Sequence, residues 1–98
     1  MSEKELEKTV VDCLEKMGAW VMPKTHMSTV GIPDRIICLN GRFLAVEFKK
    51  SKAEAFKKTG RIVMQKKRLE EIKQAGGWAW LVYPENAYQF LKWCEEQL

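Results

Sequence analysis

Two carboxylates and a lysine stand where they could serve one reaction. The stretch from Gly31 to Lys50 reads GIPDRIICLNGRFLAVEFKK. Asn40-Gly41 within it is a strong hairpin signal, because both residue types tolerate the positive φ of a tight turn between twisted strands. With those two residues as the loop, Leu39 faces Arg42, and counting outward pairs Ile37 with Leu44, Ile36 with Ala45 and Asp34 with Glu47. Side chains directly opposite each other lie roughly 5 Å apart, and like charges at that spacing repel. A bound divalent cation is the simplest compensation. Lys49, two residues beyond Glu47, shares its face of the strand about 7 Å further along. Glu47 also follows Leu44, Ala45 and Val46 and precedes Phe48, and a carboxylate in such an apolar strand calls for a compensating partner.

The elements that must position these groups can be read on either side. Ser2-Glu3-Lys4-Glu5 is a capping box that opens a helix, expected from Glu3 to about Met17 and ended by Gly18. Its apolar stripe is Leu6, Val10, Cys13, Leu14 and Met17. Glu3 and Glu7 lie within or beside that stripe, whereas Glu5, Asp12 and Glu15 point away. Ala19 to Met22 is expected as a strand stopped by Pro23, followed by a polar loop from Lys24 to Val30 that carries the one histidine, His26. Ser51 to Gly60 reads as a polar loop. A helix from about Ile62 to Ala75 follows, closed by Gly76-Gly77, with Ile62, Leu69 and Ile72 facing inward and Gln65 in the middle of that stripe. A buried amide must find hydrogen-bond partners. Trp78 to Tyr83 is an apolar strand of the kind covered on both faces, and Ala87, Leu91, Cys94 and Leu98 are the expected inward positions of a last helix. Trp20, Trp78, Trp80 and Trp93 read as core aromatics.

Composition sets outer bounds. Ninety-eight residues, 46% hydrophobic and 31% charged, describe one domain over residues 1–98 with one modest core. No apolar run approaches a membrane span, and the chain opens on a charged helix, so a cytoplasmic location without membrane partners is expected. Cys13, Cys38 and Cys94 are an odd number, widely spaced, and read as buried reduced thiols. The net charge is +4, but Lys49 to Lys73 holds ten Lys and Arg against three Glu, a net of +7 that leaves −3 for the rest. Basic charge gathered next to a candidate cation site points to a phosphate-bearing partner. No Walker loop, Ser-His-Asp arrangement or G-x-G-x-x-G is present, so a nucleotide cofactor has no support.

Gly31-Ile32-Pro33-Asp34 followed by Glu47-Phe48-Lys49 resembles the PD-(D/E)XK nuclease superfamily, and specifically its virus-type replication-repair (VRR-NUC) branch. The resemblance runs from the first helix to the strand near Val82. It implies a restriction-endonuclease-like α/β fold, a mixed sheet between helices in the order αβββαβα. It further implies a Mg²⁺ or Mn²⁺ ion held by Asp34, Glu47, the main-chain carbonyl of Phe48 and a helix-one glutamate, Glu7 by its distance from Gly18 or, alternatively, Glu3. Lys49 and Gln65 join Asp34 and Glu47 as catalytic residues. Lys24 and Ser28, in the loop ahead of Pro-Asp, and Lys50, Lys52, Lys66, Lys67 and Arg68 are the expected DNA contacts, whereas lone His26 is expected to be solvated. The implied function is a structure-specific DNA endonuclease of a bacterial or phage-infected cell, nicking four-way junctions as a homodimer. A non-catalytic nucleic-acid-binding module is the alternative.

Overall fold

The computed structural model describes residues 1–24 and 31–98, so His26 and Ser28 lie outside the described residues. Helix α1 (Glu3–Lys16) starts at the expected capping box, in which the Glu5 N–H donates to Ser2 Oγ at 3.1 Å and the Ser2 N–H donates to Glu5 Oε1 at 3.2 Å. Three antiparallel strands follow, β1 (Trp20–Val21), β2 (Arg35–Leu39) and β3 (Arg42–Phe48). The turn between β2 and β3 has positive φ at both Asn40 and Gly41, 50° and 80°, as a two-residue hairpin of this type requires. Its register is the expected one, with Leu39 opposite Arg42 and Ile37 opposite Leu44.

A short helix, α2 (Lys52–Ala55), and a long one, α3 (Arg61–Gln74), carry the chain across the sheet to β4 (Trp78–Val82), which pairs in parallel with β3. A turn of 3-10 helix at Pro84–Asn86 leads into α4 (Ala87–Glu96). The product is a mixed four-stranded sheet in the order β1-β2-β3-β4. Helix α2 was not expected. Ser51 caps it, accepting the Glu54 N–H at 3.2 Å, within a segment whose lysines suggested loop.

Side-chain alternation divides the sheet. Ile37, Leu39, Leu44, Val46, Phe48 and Val82 face α1 and α4 and join Leu6, Val10, Leu14, Phe90 and Cys94 in the larger core. The opposite face offers Ala45 and Ala79 to Leu69 of α3, with Ile36, Ile72 and Leu81 around them. Period-two alternation from Ala45 puts Glu47 on the α3 face. There, 3.6-residue periodicity lines up Ile62, Gln65 and Leu69, all buried.

Several expectations are corrected. Leu98 is exposed because α4 ends at Glu96, and Phe90 fills the core in its place. Cys94 is buried, but Cys13 is half-buried and Cys38 exposed; all three thiols are free. Trp20 is 60% exposed, and Phe43, two residues along β3 from Ala45, is also exposed. Trp78, Trp80 and Trp93 do pack against the larger core. No helix among the described residues is long and apolar enough to cross a membrane.

Candidate functional site

At Arg35 opposite Val46 the β2–β3 ladder ends, so the next residues outward are Asp34 and Glu47. Asp34 no longer belongs to the strand, and its side chain takes over a ladder role: Asp34 Oδ2 accepts the Phe48 N–H at 2.8 Å. That bond fixes the Asp34 carboxylate against β3, within hydrogen-bonding reach of the Glu47 carboxyl. Pro33 precedes it with φ already restricted, which steadies the approach.

Glu47 is 2% exposed. Burial, first, and then the hydrogen bond and negative charge of Asp34 push its carboxyl up to about 9, against a smaller opposing pull from Lys49. The residue therefore keeps its proton at neutral pH in the metal-free protein. Gln65 Nε2 donates to Glu47 Oε1 at 3.2 Å, the partner that its place in the α3 stripe required. Even so, Gln65 Oε1 is buried with no hydrogen-bond partner among the described residues, and Glu47 Oε2 has none but the Asp34 carboxylate, with which it shares the Glu47 proton. A buried oxygen left without a partner costs about 1–3 kcal/mol unless a ligand supplies a donor or a positive charge.

These groups form one wall of a cavity of about 530 Å³. Asp34, Glu47, Lys49 and Gln65 all line it, and so does Glu3 at the start of α1. Partial burial, then the charge of Asp34, raises the Glu3 carboxyl above its ordinary value. Glu7, one turn later, does not line this cavity. Its carboxylate is held at 2.6 Å by Arg35 Nε and at 3.2 and 3.3 Å by Lys24 Nζ. Of the two helix-one candidates, Glu3 thus reaches the cavity while Glu7 ties α1 to β2. Arg35, the neighbour of Asp34, points to the opposite face of the sheet and makes that tie possible.

The residues present suit a hard divalent cation in one respect and limit it in another. Asp34 and Glu47 bring two carboxyls side by side with one proton between them, which a cation could replace. No group of three His, Cys, Asp or Glu among the described residues stands close enough to enclose a metal. Magnesium tolerates this, because it is usually bound through one or two carboxylates and keeps several waters. Phe48, whose carbonyl was an expected ligand, engages Asp34 through its N–H and does not line the cavity.

The expected DNA contacts divide. Lys50, Lys52 and Lys67 are exposed. Lys66 lies over the Phe56 ring, 5.2 Å from its centroid. Arg68 is braced between Glu71, at 3.1 Å, and the backbone near Gly31, and Lys24 belongs to the Glu7 pair. Thr59, Gly60 and Arg61, which the sequence reading did not single out, line the cavity with Lys57 and Glu54. A Gly-Arg step at the start of a helix after a basic stretch was the available signal. No protein-family model matches the chain, and no curated protein matches it.

Proposed function

We propose that the chain is a divalent-metal-dependent endonuclease that hydrolyses phosphodiester bonds in DNA, built on a PD-(D/E)XK-type core of the VRR-NUC branch. The observation that carries this reading is the side-by-side Asp34 and Glu47 in a cavity shared with Lys49. Burial and the neighbouring Asp34 keep Glu47 from serving in an ordinary ion pair, whereas loss of its proton would let the two carboxylates hold a cation. A structural ion pair would instead resemble Glu7 with Arg35.

When bound, a Mg²⁺ or Mn²⁺ ion would supply Lewis-acid polarisation of a phosphate oxygen and activation of water. Asp34 and Glu47 would hold it, with Glu3 on the wall of the same cavity. Lys49 supplies an ammonium to the same cavity. It orients the attacking water and offsets the charge that develops on the phosphate oxygens. Gln65 keeps Glu47 oriented through its Nε2–H. The exposed lysines of the Lys49 to Lys73 segment attract the DNA backbone over a longer range.

A four-way junction as substrate and a homodimer as working unit belong to this proposal, since paired nicks in opposed strands need two sites related by a two-fold axis. Incubation of the protein with labelled linear, flap and four-way junction DNA, with and without Mg²⁺, tests it. Nicks are expected only with metal, strongest on the junction, and absent from Asp34→Asn. DNA binding that never leads to a nick would instead favour a nucleic-acid-binding module.

A further inference from the structure

Strand β4 lies at the rim of the sheet, with β3 on one side and no strand among the described residues on the other. The Val82 carbonyl accepts the Lys49 N–H at 2.9 Å, so Trp78, Trp80 and Val82 turn their backbone groups towards β3. Alternation then turns those of Gly77, Ala79, Leu81 and Tyr83 outward. Proteins blunt such edges with prolines or charges, because unpaired backbone groups invite another strand. The run from Trp78 to Val82, WAWLV, has neither.

Both ends of this edge are sealed from within. Asn86 Nδ2 donates to the Leu81 carbonyl at 2.9 Å, and Asn86 Oδ1 accepts the Tyr83 N–H at 2.8 Å. The Gly77 N–H donates to the Ile72 carbonyl at 2.9 Å. Between these seals the Gly77 carbonyl, the Ala79 N–H and carbonyl and the Leu81 N–H have no partner among the described residues. A hollow of about 430 Å³ runs along the stretch, lined by residues 77–81 with Lys73 of α3 and Trp93 of α4 beside them. Ala79 is only 6% exposed, and backbone groups so placed are costly until something pairs with them.

The open groups are two donors and two acceptors arranged about Ala79, and two copies of the set fit each other. In an antiparallel ladder a hydrogen-bonded residue exchanges both its bonds with the residue opposite. A second β4 laid antiparallel with Ala79 facing Ala79 makes two N–H···O bonds there, and the Leu81 N–H of each copy meets the Gly77 carbonyl of the other. Every open group is used once. The pair that this register would otherwise set together, the Leu81 carbonyl and the Gly77 N–H, is the pair already taken by Asn86 and Ile72. A strand with an ordinary open edge would instead leave an N–H and a carbonyl of its own facing those occupied groups. Trp80 of one copy also comes opposite Trp78 of the other, an aromatic cross-strand pair.

We infer that the free edge of β4 is a dimer interface, pairing with β4 of a second copy about a two-fold axis at Ala79 and joining two four-stranded sheets into one. The choice of a second copy draws on the homodimer of the nuclease reading, whereas the interface itself stands on the hydrogen-bond pattern of the edge. Because Ala45 pairs with Ala79, the axis puts both cavities on one face of the joint sheet, with their Glu47 Cα atoms roughly 20 Å apart.

Sedimentation equilibrium at micromolar concentration without DNA, on wild type and Ala79→Pro, tests this. The Ala79 N–H takes no part in the β3–β4 ladder, so proline leaves the protomer's own bonds in place and circular dichroism should match wild type. Wild type should sediment at twice the chain mass. Ala79→Pro should raise the dissociation constant roughly thirtyfold, since both Ala79 bonds across the axis are lost. Amide hydrogen exchange on the wild type needs no variant: the Ala79 and Leu81 amides should be protected at high protein concentration and lose that protection on dilution, while those of Trp80 and Val82 stay protected. A wild type that is monomeric throughout, a dimer that a folded Ala79→Pro leaves intact, or Ala79 and Leu81 amides that ignore dilution would overturn the inference. A β4-paired dimer that never nicks DNA sinks the nuclease reading alone. A nuclease that works with its β4 edge unpaired sinks the interface alone.

Discussion

Replacing Glu47 by Gln should stabilise the metal-free protein, and by more the higher the pH. The carboxyl is pushed from 4.5 to about 9, chiefly by burial and then by Asp34. Because the folded value is raised, the native state is undisturbed below about pH 4.5, where both states are protonated. As pH rises from there towards 9, the unfolded chain releases a proton that the folded chain retains. Wild-type stability then falls by about 1.4 kcal/mol per pH unit on this account, or about 4 kcal/mol between pH 5 and pH 8. Gln does not titrate. It is isosteric with protonated Glu, can accept from Gln65 Nε2 and can donate to Asp34, so it keeps the native hydrogen bonds. Urea unfolding of both proteins at pH 5, 6.5 and 8 in a chelator checks this: the gap between them should widen steadily with pH. Even half the stated change would support the reasoning. A gap independent of pH, or one favouring wild type at pH 8, would show that Glu47 is not held neutral, and the argument from a compressed carboxyl pair would fail. Added Mn²⁺ should narrow the gap by stabilising only the wild type.

Lys49→Ala should abolish strand cleavage while leaving Mn²⁺ affinity within a few-fold of wild type, as measured by calorimetry, since the ammonium faces the cavity without holding the cation. Glu3→Gln and Glu7→Gln should part company. The first should weaken Mn²⁺ binding with no loss of stability; the second should cost about 2 kcal/mol in urea unfolding, because it leaves the half-buried Arg35 poorly compensated. Gly31→Ala should destabilise by about 2 kcal/mol, which thermal unfolding would report. Its φ of +87° is a left-handed conformation, and a Cβ there would lie 3.0 Å from Arg68 Cγ and 3.1 Å from the Met64 carbonyl oxygen, so α3 and its Gln65 would have to shift.

Local chemistry made much of this architecture readable. Asn40-Gly41 settles the hairpin register as far as Arg35 opposite Val46, which leaves Asp34 and Glu47 as the next residues outward. The helical period puts Gln65 between Ile62 and Leu69, and a buried amide beside a buried carboxyl follows. The choice between Glu3 and Glu7 was not readable, because both lie on one face of α1, a turn apart. It depends on where α1 crosses β2 and on Arg35 capturing Glu7, which are tertiary facts. Helix α2 had a readable signal in Ser51 and Glu54, a cap with a carboxylate three residues on, but the surrounding lysines outweighed it. Trp20 behaves differently from the other tryptophans because its strand lies at the sheet edge, on the α3 face, with Cys38 and Phe43 exposed nearby.

The central claim is that Asp34 and Glu47 form a cation site whose proton must leave when a metal arrives. Calorimetric titration of Mn²⁺ into the protein at pH 7.5, repeated in buffers of different ionisation enthalpy, measures both the affinity and the protons released. One ion per chain should bind with release of close to one proton, and Glu47→Gln should remove the proton release along with most of the affinity. Absence of Mn²⁺ binding by the wild type, or binding with no proton released, would contradict the account.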